Sequence, residues 1–146
     1  MSIADEDLRG SDPPKIGEKL PVRVLRFDLA DLGRYAAVSG DDNPIHLDVA
    51  LARRAGLEAP PVHGMLLMSS FEPAIEAWRA DFVLQRLSAK FLRPVFAGEN
   101  VEISGRVVEV GEGEAPHALL RLLVHNGRRE IVIIAEAMLA KARVPV

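Results

Sequence analysis

An aspartate and a histidine stand five residues apart in the stretch Ser39-Gly40-Asp41-Asp42-Asn43-Pro44-Ile45-His46. A carboxylate and an imidazole held at a fixed separation can divide two proton transfers between them about a single water. Asn43-Pro44 makes the turn that separates Asp41 from His46: proline fixes its own φ and pushes the preceding residue out of helical geometry, so a helix entering here must stop. A short rigid loop suits two side chains that must keep their distance. Neither Asp41 nor His46 serves an apolar periodicity. Taken singly, Asp41, Asn43 and His46 are more often loop-forming and capping residues; it is their combination that singles out the stretch.

The rest of the chain bounds the chemistry. Its 146 residues suit one domain with a substantial core, and 49% hydrophobic content fits a packed globular protein. A formal charge of −3 gives no general attraction to nucleic acid or to an anionic membrane surface. The absence of cysteine removes disulfides, thiol nucleophiles and thiolate metal sites, and suits a reducing cytoplasm. No apolar run approaches the roughly 20 residues of a membrane span, and the acidic Met1–Asp7 segment lacks the features of a signal peptide. The expectation is therefore a cytoplasmic protein. Asp41, His46 and His63 do not have the spacing of a dedicated metal-ligand set. Ser69 and Ser70 lack the sharp strand-to-helix context of a hydrolase nucleophile. Gly111-Glu112-Gly113-Glu114 carries two glutamates where a phosphate loop needs a lysine, and reads as a turn.

The elements that position the pair follow from pattern. Residues 1–15 read as a polar arm and 16–146 as one domain. Val22–Phe27 predicts a first strand, and Asp28 predicts the N-cap of a helix over 29–38 with Leu29, Leu32, Tyr35 and Ala36 on one face. A short helix is predicted from Asp48, ending at Gly56. The constrained loop Glu58–Gly64 leads into Met65-Leu66-Leu67-Met68-Ser69-Ser70-Phe71, apolar on nearly every side and so predicted to be a buried central helix. Pro73 predicts a kink there, or one helix ending and another beginning. From Asp81 the pattern is of strands: Phe82–Val95, with Leu87, Ala89 and Phe91 at period two; a strand with Val101, Ile103 and Val107; Ala118–His125; and Glu130–Lys141. Asn126-Gly127 is a hairpin signal between the last two. One early strand, a buried helix and four later strands predict an α+β fold with an antiparallel sheet.

With these segments together, the chain resembles the MaoC-type hydratases, the hot-dog-fold family of (R)-specific enoyl-CoA hydratases and hydroxyacyl-thioester dehydratases. The resemblance rests on Tyr35–Asp48, on Pro61-Val62-His63-Gly64-Met65-Leu66-Leu67 and on Lys90–Glu99, and extends over most of residues 20–140. It implies an antiparallel β-sheet wrapped around a long central α-helix, and a homodimer or a pairing with a related subunit. It also implies that Asp41 and His46 are the catalytic pair and that the Gly64 N–H binds the thioester oxygen. Asn43 is implied as an orienting group, and Ser69 as a support for the catalytic acid. His63 either orients the loop, lines the pocket or is structural. No cofactor or metal is implied; CoA or acyl carrier protein carries the substrate.

Hydration of a trans-2-enoyl thioester needs water at C3 and a proton at C2, while negative charge develops on the thioester oxygen. Asp41 as base and His46 as proton donor satisfy the first need, although the opposite division stays open for a coupled pair. Gly64, at the start of a helix, offers the unpaired N–H and close approach that the second requires. The rival readings are a hot-dog acyl-CoA thioesterase, and a non-catalytic acyl-binding subunit that completes a partner's pocket. Met65, Met68, Phe71 and Trp78 are the residues expected to set the depth of an acyl tunnel. Arg79, Arg86, Lys90 and Arg93 are candidates for contacting a CoA phosphate or a carrier protein.

Overall fold

The computed structural model describes residues 12–142 with the exception of Glu114, so most of the expected N-terminal arm, residues 1–11, lies outside the described residues. β1 (Arg23–Arg26) is followed by four helices: α1 (Leu29–Ser39), α2 (Val49–Arg54), α3 (Gly64–Ser69) and α4 (Phe71–Trp78). Four long strands complete the chain: β2 (Phe82–Phe91), β3 (Asn100–Gly111), β4 (His117–His125) and β5 (Ile131–Lys141). All pairings are antiparallel, in the order β1-β3-β4-β5-β2.

Alternation decides which face is covered. Ala118, Leu120, Leu122 and Val124 of β4 are buried, as are Val101, Ile103 and Val107 of β3 and Ala135, Ala137 and Leu139 of β5. Arg121 and Glu136, paired directly across β4 and β5, lie on the opposite face and are exposed. Leu67 of α3 and Phe71, Ala74 and Ile75 of α4 join the same apolar cluster. Each large side chain so covered contributes about 1.5–3 kcal/mol. In β2 the expected Leu87-Ala89-Phe91 periodicity continues, and a bulge between Leu84 and Arg86 re-phases the strand so that Phe82 and Leu84 also meet the core. The strand stops at Phe91 rather than Val95, three residues before Pro94.

The central helix is divided, as Pro73 predicts: one helix ends and another begins where the resemblance alone implies a single long one. Pro73 has no N–H for the carbonyl four residues back, so a continuous helix would lose that bond and crowd Ser69. The chain breaks at Ser70 instead, which puts Pro73 in the first turn of α4, where its missing donor has no intrahelical partner anyway. Ser69 and Ser70 both turn their hydroxyls back to carbonyls three residues earlier, Leu66 and Leu67. Such back-bonding loosens a helix at the joint. Nor is the first segment buried on every side, since Met65 is 61% exposed.

Other boundaries follow their caps. Asp28 and Asp31 form a reciprocal capping box at 2.9 Å in each direction, and Gly40 ends α1 in the left-handed region with φ 79°. Leu32 and Ala36 bury the inner face of α1, whereas Leu29 is 45% exposed, so its apolar stripe is narrower than expected. The β4–β5 hairpin forms where Asn126-Gly127 predicts it, but the positive φ falls on Arg129, at 62°, rather than on Gly127. Asn126 explains the longer loop: its Oδ1 accepts from the N–H groups of Arg128 and Glu130, both at 3.0 Å.

Candidate functional site

Two chain segments build the site, and each is shaped by its own sequence. In the first, the Asn43 side chain accepts from the Ile45 N–H at 3.1 Å and so caps a 3₁₀ turn over Pro44–His46, with Pro44 at its first position. Asn43 therefore orients His46 through the backbone. Just upstream, the Asp41 N–H donates to Ser39 Oγ at 3.1 Å. In the second segment, Val62 donates to the Val95 carbonyl at 2.7 Å and Ala97 to the Pro60 carbonyl at 2.9 Å, which pins Pro60–Val62 to the chain beyond β2. α3 begins at once after His63, and its first intrahelical bond runs from Leu67 N–H to the His63 carbonyl at 3.1 Å. Gly64, at the first helical position, has no intrahelical acceptor for its N–H.

The segments meet through their histidines. His46 Nδ1 lies 2.7 Å from the Pro61 carbonyl oxygen, and His63 Nε2 lies 3.1 Å from the Asp41 carbonyl oxygen. A carbonyl only accepts, so both of these nitrogens carry hydrogen and donate. The two rings stack with centroids 3.9 Å apart and planes 22° from parallel, and Tyr35 meets His63 edge-on at 4.7 Å. His63 is 1% exposed, His46 is half-buried and Asp41 is open to solvent.

Asp41, His46 and His63 each present an acidic oxygen or ring nitrogen within 4.8 Å of the others. That spacing is what one bridging water would fill between the Asp41 carboxylate and an imidazole. One nitrogen of each ring is held by a carbonyl, which leaves His46 Nε2 and His63 Nδ1 as the acceptor atoms of the two rings.

Of the expected site residues, Asp41, His46 and His63 converge, Asn43 caps the turn that carries His46, and Gly64 follows His63 at the first position of α3. Ser69 lies at the far end of α3 with its hydroxyl on Leu66. Sequence reasoning reads Phe91 as a period-two strand residue and as part of the Lys90–Glu99 segment of the resemblance, without a site role. Its ring edge lies 3.2 Å from where a Cβ on Gly64 would stand, so a larger residue there would push the ring by a few tenths of an ångström, and Phe91 is itself 46% exposed. Its place beside the loop motifs, in Lys90-Phe91-Leu92-Arg93, was the signal available.

Phe71 is fully buried in the core, and Trp78 donates its indole N–H to Glu18 at 2.7 Å. One further expectation is corrected. Arg79 is no phosphate ligand. It is buried, forks onto Asp81 at 2.8 and 2.7 Å, and lies over the rings of Trp78 and Phe82. The hydrogen bonds from Arg79 hold the Asp81 carboxyl below the usual carboxylate range against the opposing effect of burial. Arg93 is paired with Glu130 at 3.2 Å.

The profile of the MaoC like domain matches residues 12–125, and the chain belongs to that family. It is 34% identical over 128 residues to an (R)-specific enoyl-CoA hydratase of Aeromonas caviae, covering 85% of this chain and 92% of the relative. It is 41% identical over 88 residues to a mitochondrial 3-hydroxyacyl-[acyl-carrier-protein] dehydratase of Arabidopsis thaliana, covering 60% of this chain and 52% of the relative. The solved (R)-hydratase of A. caviae involved in PHA biosynthesis superposes with a TM-score of 0.80 at 31% identity, over 90% of this chain and 97% of that one. The ChsH1-ChsH2 complex from Mycobacterium tuberculosis shares the fold, with a TM-score of 0.78 at 19% identity over 88% of this chain and 98% of the other. The fold is the expected α+β hot-dog arrangement, and the relatives named as hydratase and dehydratase are hydro-lyases. Among the described residues, no helix is long and apolar enough to cross a membrane.

Proposed function

We propose that this protein is an (R)-specific enoyl-thioester hydratase, equally a 3-hydroxyacyl-thioester dehydratase, acting on an acyl chain carried by CoA or acyl carrier protein. The observation that carries the reading is the Asp41 carboxylate and the His46 imidazole brought within 4.8 Å of each other, with Gly64 following the adjacent His63 at the start of a helix. Asp41 takes a proton from that water as its oxygen bonds to C3. The C2–C3 π electrons shift toward the thioester, and His46, entering this step protonated on both ring nitrogens, delivers its Nε2 proton to C2 and is left as the neutral Nδ1–H tautomer. Because Nδ1–H is held by the Pro61 carbonyl, Nε2 is the nitrogen that exchanges protons in either division of labour. Negative charge on the thioester oxygen meets Gly64 N–H, where a placed donor contributes most. No step draws on a metal or cofactor.

A dimer, with itself or with a related subunit, fits the same reading. β2 ends the sheet with one unpaired edge, and exposed apolar side chains gather in the segments that carry the site: Val38 at 89%, Met65 at 61% and Phe91 at 46%.

The test is a crotonyl-CoA assay that follows enoyl absorbance and free thiol together, with Asp41→Asn and His46→Gln beside the parent. Loss of enoyl signal without thiol, abolished in both variants, is the expected result. Release of thiol would replace this reading with a thioesterase.

A further inference from the structure

The two carbonyl contacts of the site are reciprocal. The histidine of the first segment, His46, donates to the backbone of the second at Pro61, and the histidine of the second, His63, donates to the backbone of the first at Asp41. We propose that His63 is a positioning residue: neutral and protonated on Nε2, it closes this clasp, fixes the direction of the Asp41 side chain and backs the His46 ring.

Asp41 sits on an exposed loop where nothing apolar holds it. Its backbone is instead gripped on both sides, by Ser39 Oγ on the N–H and by His63 Nε2 on the carbonyl. These two bonds set the plane of both peptides at Asp41 and hence the direction of its Cα–Cβ bond. His63 also lies between Tyr35 and His46, so the face of the reactive imidazole rests on a buried ring rather than on solvent.

The remaining nitrogen sharpens the assignment. Among the described residues, His63 Nδ1 is buried and has no hydrogen-bond partner. A histidine kept only for burial would be better replaced by a carbon ring, since an orphaned buried nitrogen is a cost. The residue is therefore retained for its Nε2–H. That atom touches the backbone rather than the reacting groups, which makes His63 a positioning residue and not a catalytic one.

This design allows a clean dissection. His63→Phe keeps a flat ring between Tyr35 and His46, removes a nitrogen that was already unpaired, and deletes the donor to Asp41. His63→Gln restores an N–H near the Nε2 position without the ring. In the crotonyl-CoA assay, which rests on the hydratase reading, His63→Phe should lower kcat between about 10- and 100-fold, the scale at which small misplacements of a reacting group act. KM should move less than about twofold and Tm should not fall, and His63→Gln should recover part of the kcat. A His63→Phe variant with kcat within about twofold of the parent overturns the proposal. So does a loss in both variants that tracks a falling Tm, because that is the signature of a purely structural role.

Imidazole ¹⁵N spectra of the parent protein at pH 7.5 test the clasp without turnover. They should show His46 protonated on Nδ1 and His63 protonated on Nε2. A His63 carrying its proton on Nδ1, or averaging between tautomers, overturns it. If the parent leaves crotonyl-CoA untouched while both tautomers are as stated, the hydratase reading has failed and the clasp stands.

Discussion

The sheet and the site loops hold their shape by different means. From β3 to β5 the order comes from long antiparallel ladders and one continuous apolar face, so that Leu120, Leu122, Ala137 and Leu139 are wholly buried. Between Ser39 and Gly64 the fastening is polar and local: Ser39 to Asp41, Asn43 to Ile45, His46 to Pro61 and His63 to Asp41. The first kind of order is worth most to stability and says little about chemistry. The second contributes less to stability, because apart from the buried His63 these groups are close to water that could replace each partner, yet it fixes atoms within a narrow tolerance. Changes in the two regions should accordingly separate activity from stability.

The largest effect expected is on the site side. Gly64→Pro suits the first position of a helix but has no N–H, and kcat should fall between about 100- and 1,000-fold while thioester binding partly survives. Steady-state kinetics beside a thermal melt checks this, and a Tm loss as large as that of a core variant would break the contrast, since Phe91 must yield to the new ring. On the sheet side, Leu122→Ala should cost about 3 kcal/mol in urea unfolding and leave turnover per folded molecule unchanged.

The Arg79–Asp81 corner lies between the two kinds of order, a polar fastening that is nonetheless buried. Asp81→Asn should cost about 2 kcal/mol at neutral pH, because Arg79 keeps its charge and loses the Asp81 carboxylate. The Asp81 carboxyl is depressed in the folded state, so its contribution is complete above the unfolded pKa of about 3.9 and fades as pH falls through the lower folded value. Urea melts of parent and variant should differ at pH 7 and converge in strong acid. The smallest effect is expected at the β4–β5 turn. Arg129 adopts φ 62° at some steric expense, and Arg129→Gly should raise stability by about 0.5 kcal/mol with no change in kcat.

The same contrast explains what could be read from the chain alone. Strand periodicity and caps are local, so β3, β4 and the Asp28 capping box were legible, and the turn chemistry of Asn43-Pro44 marked the site loop. Interactions between distant segments were not. Nothing near His63 says that its Nε2 faces a carbonyl 22 residues away. Phe91 looks like one more period-two apolar residue until its ring is found against Gly64. Arg79 looks like a solvent-facing cation because its partner Asp81 and the flanking rings of Trp78 and Phe82 enclose it only once the helix has ended and the strand has begun. Pro73 announced a break, but its position three residues upstream depended on where a proline loses least.

The joint at Ser70 also divides the motions available to the molecule. α3 and α4 do not share an uninterrupted column of backbone bonds, so one turn near the site can open while Phe71, Ala74 and Ile75 stay locked in the core. Amide exchange in α3 is then decoupled from that in α4. Acyl groups of different bulk would be met by re-seating six residues, with the sheet left as it is.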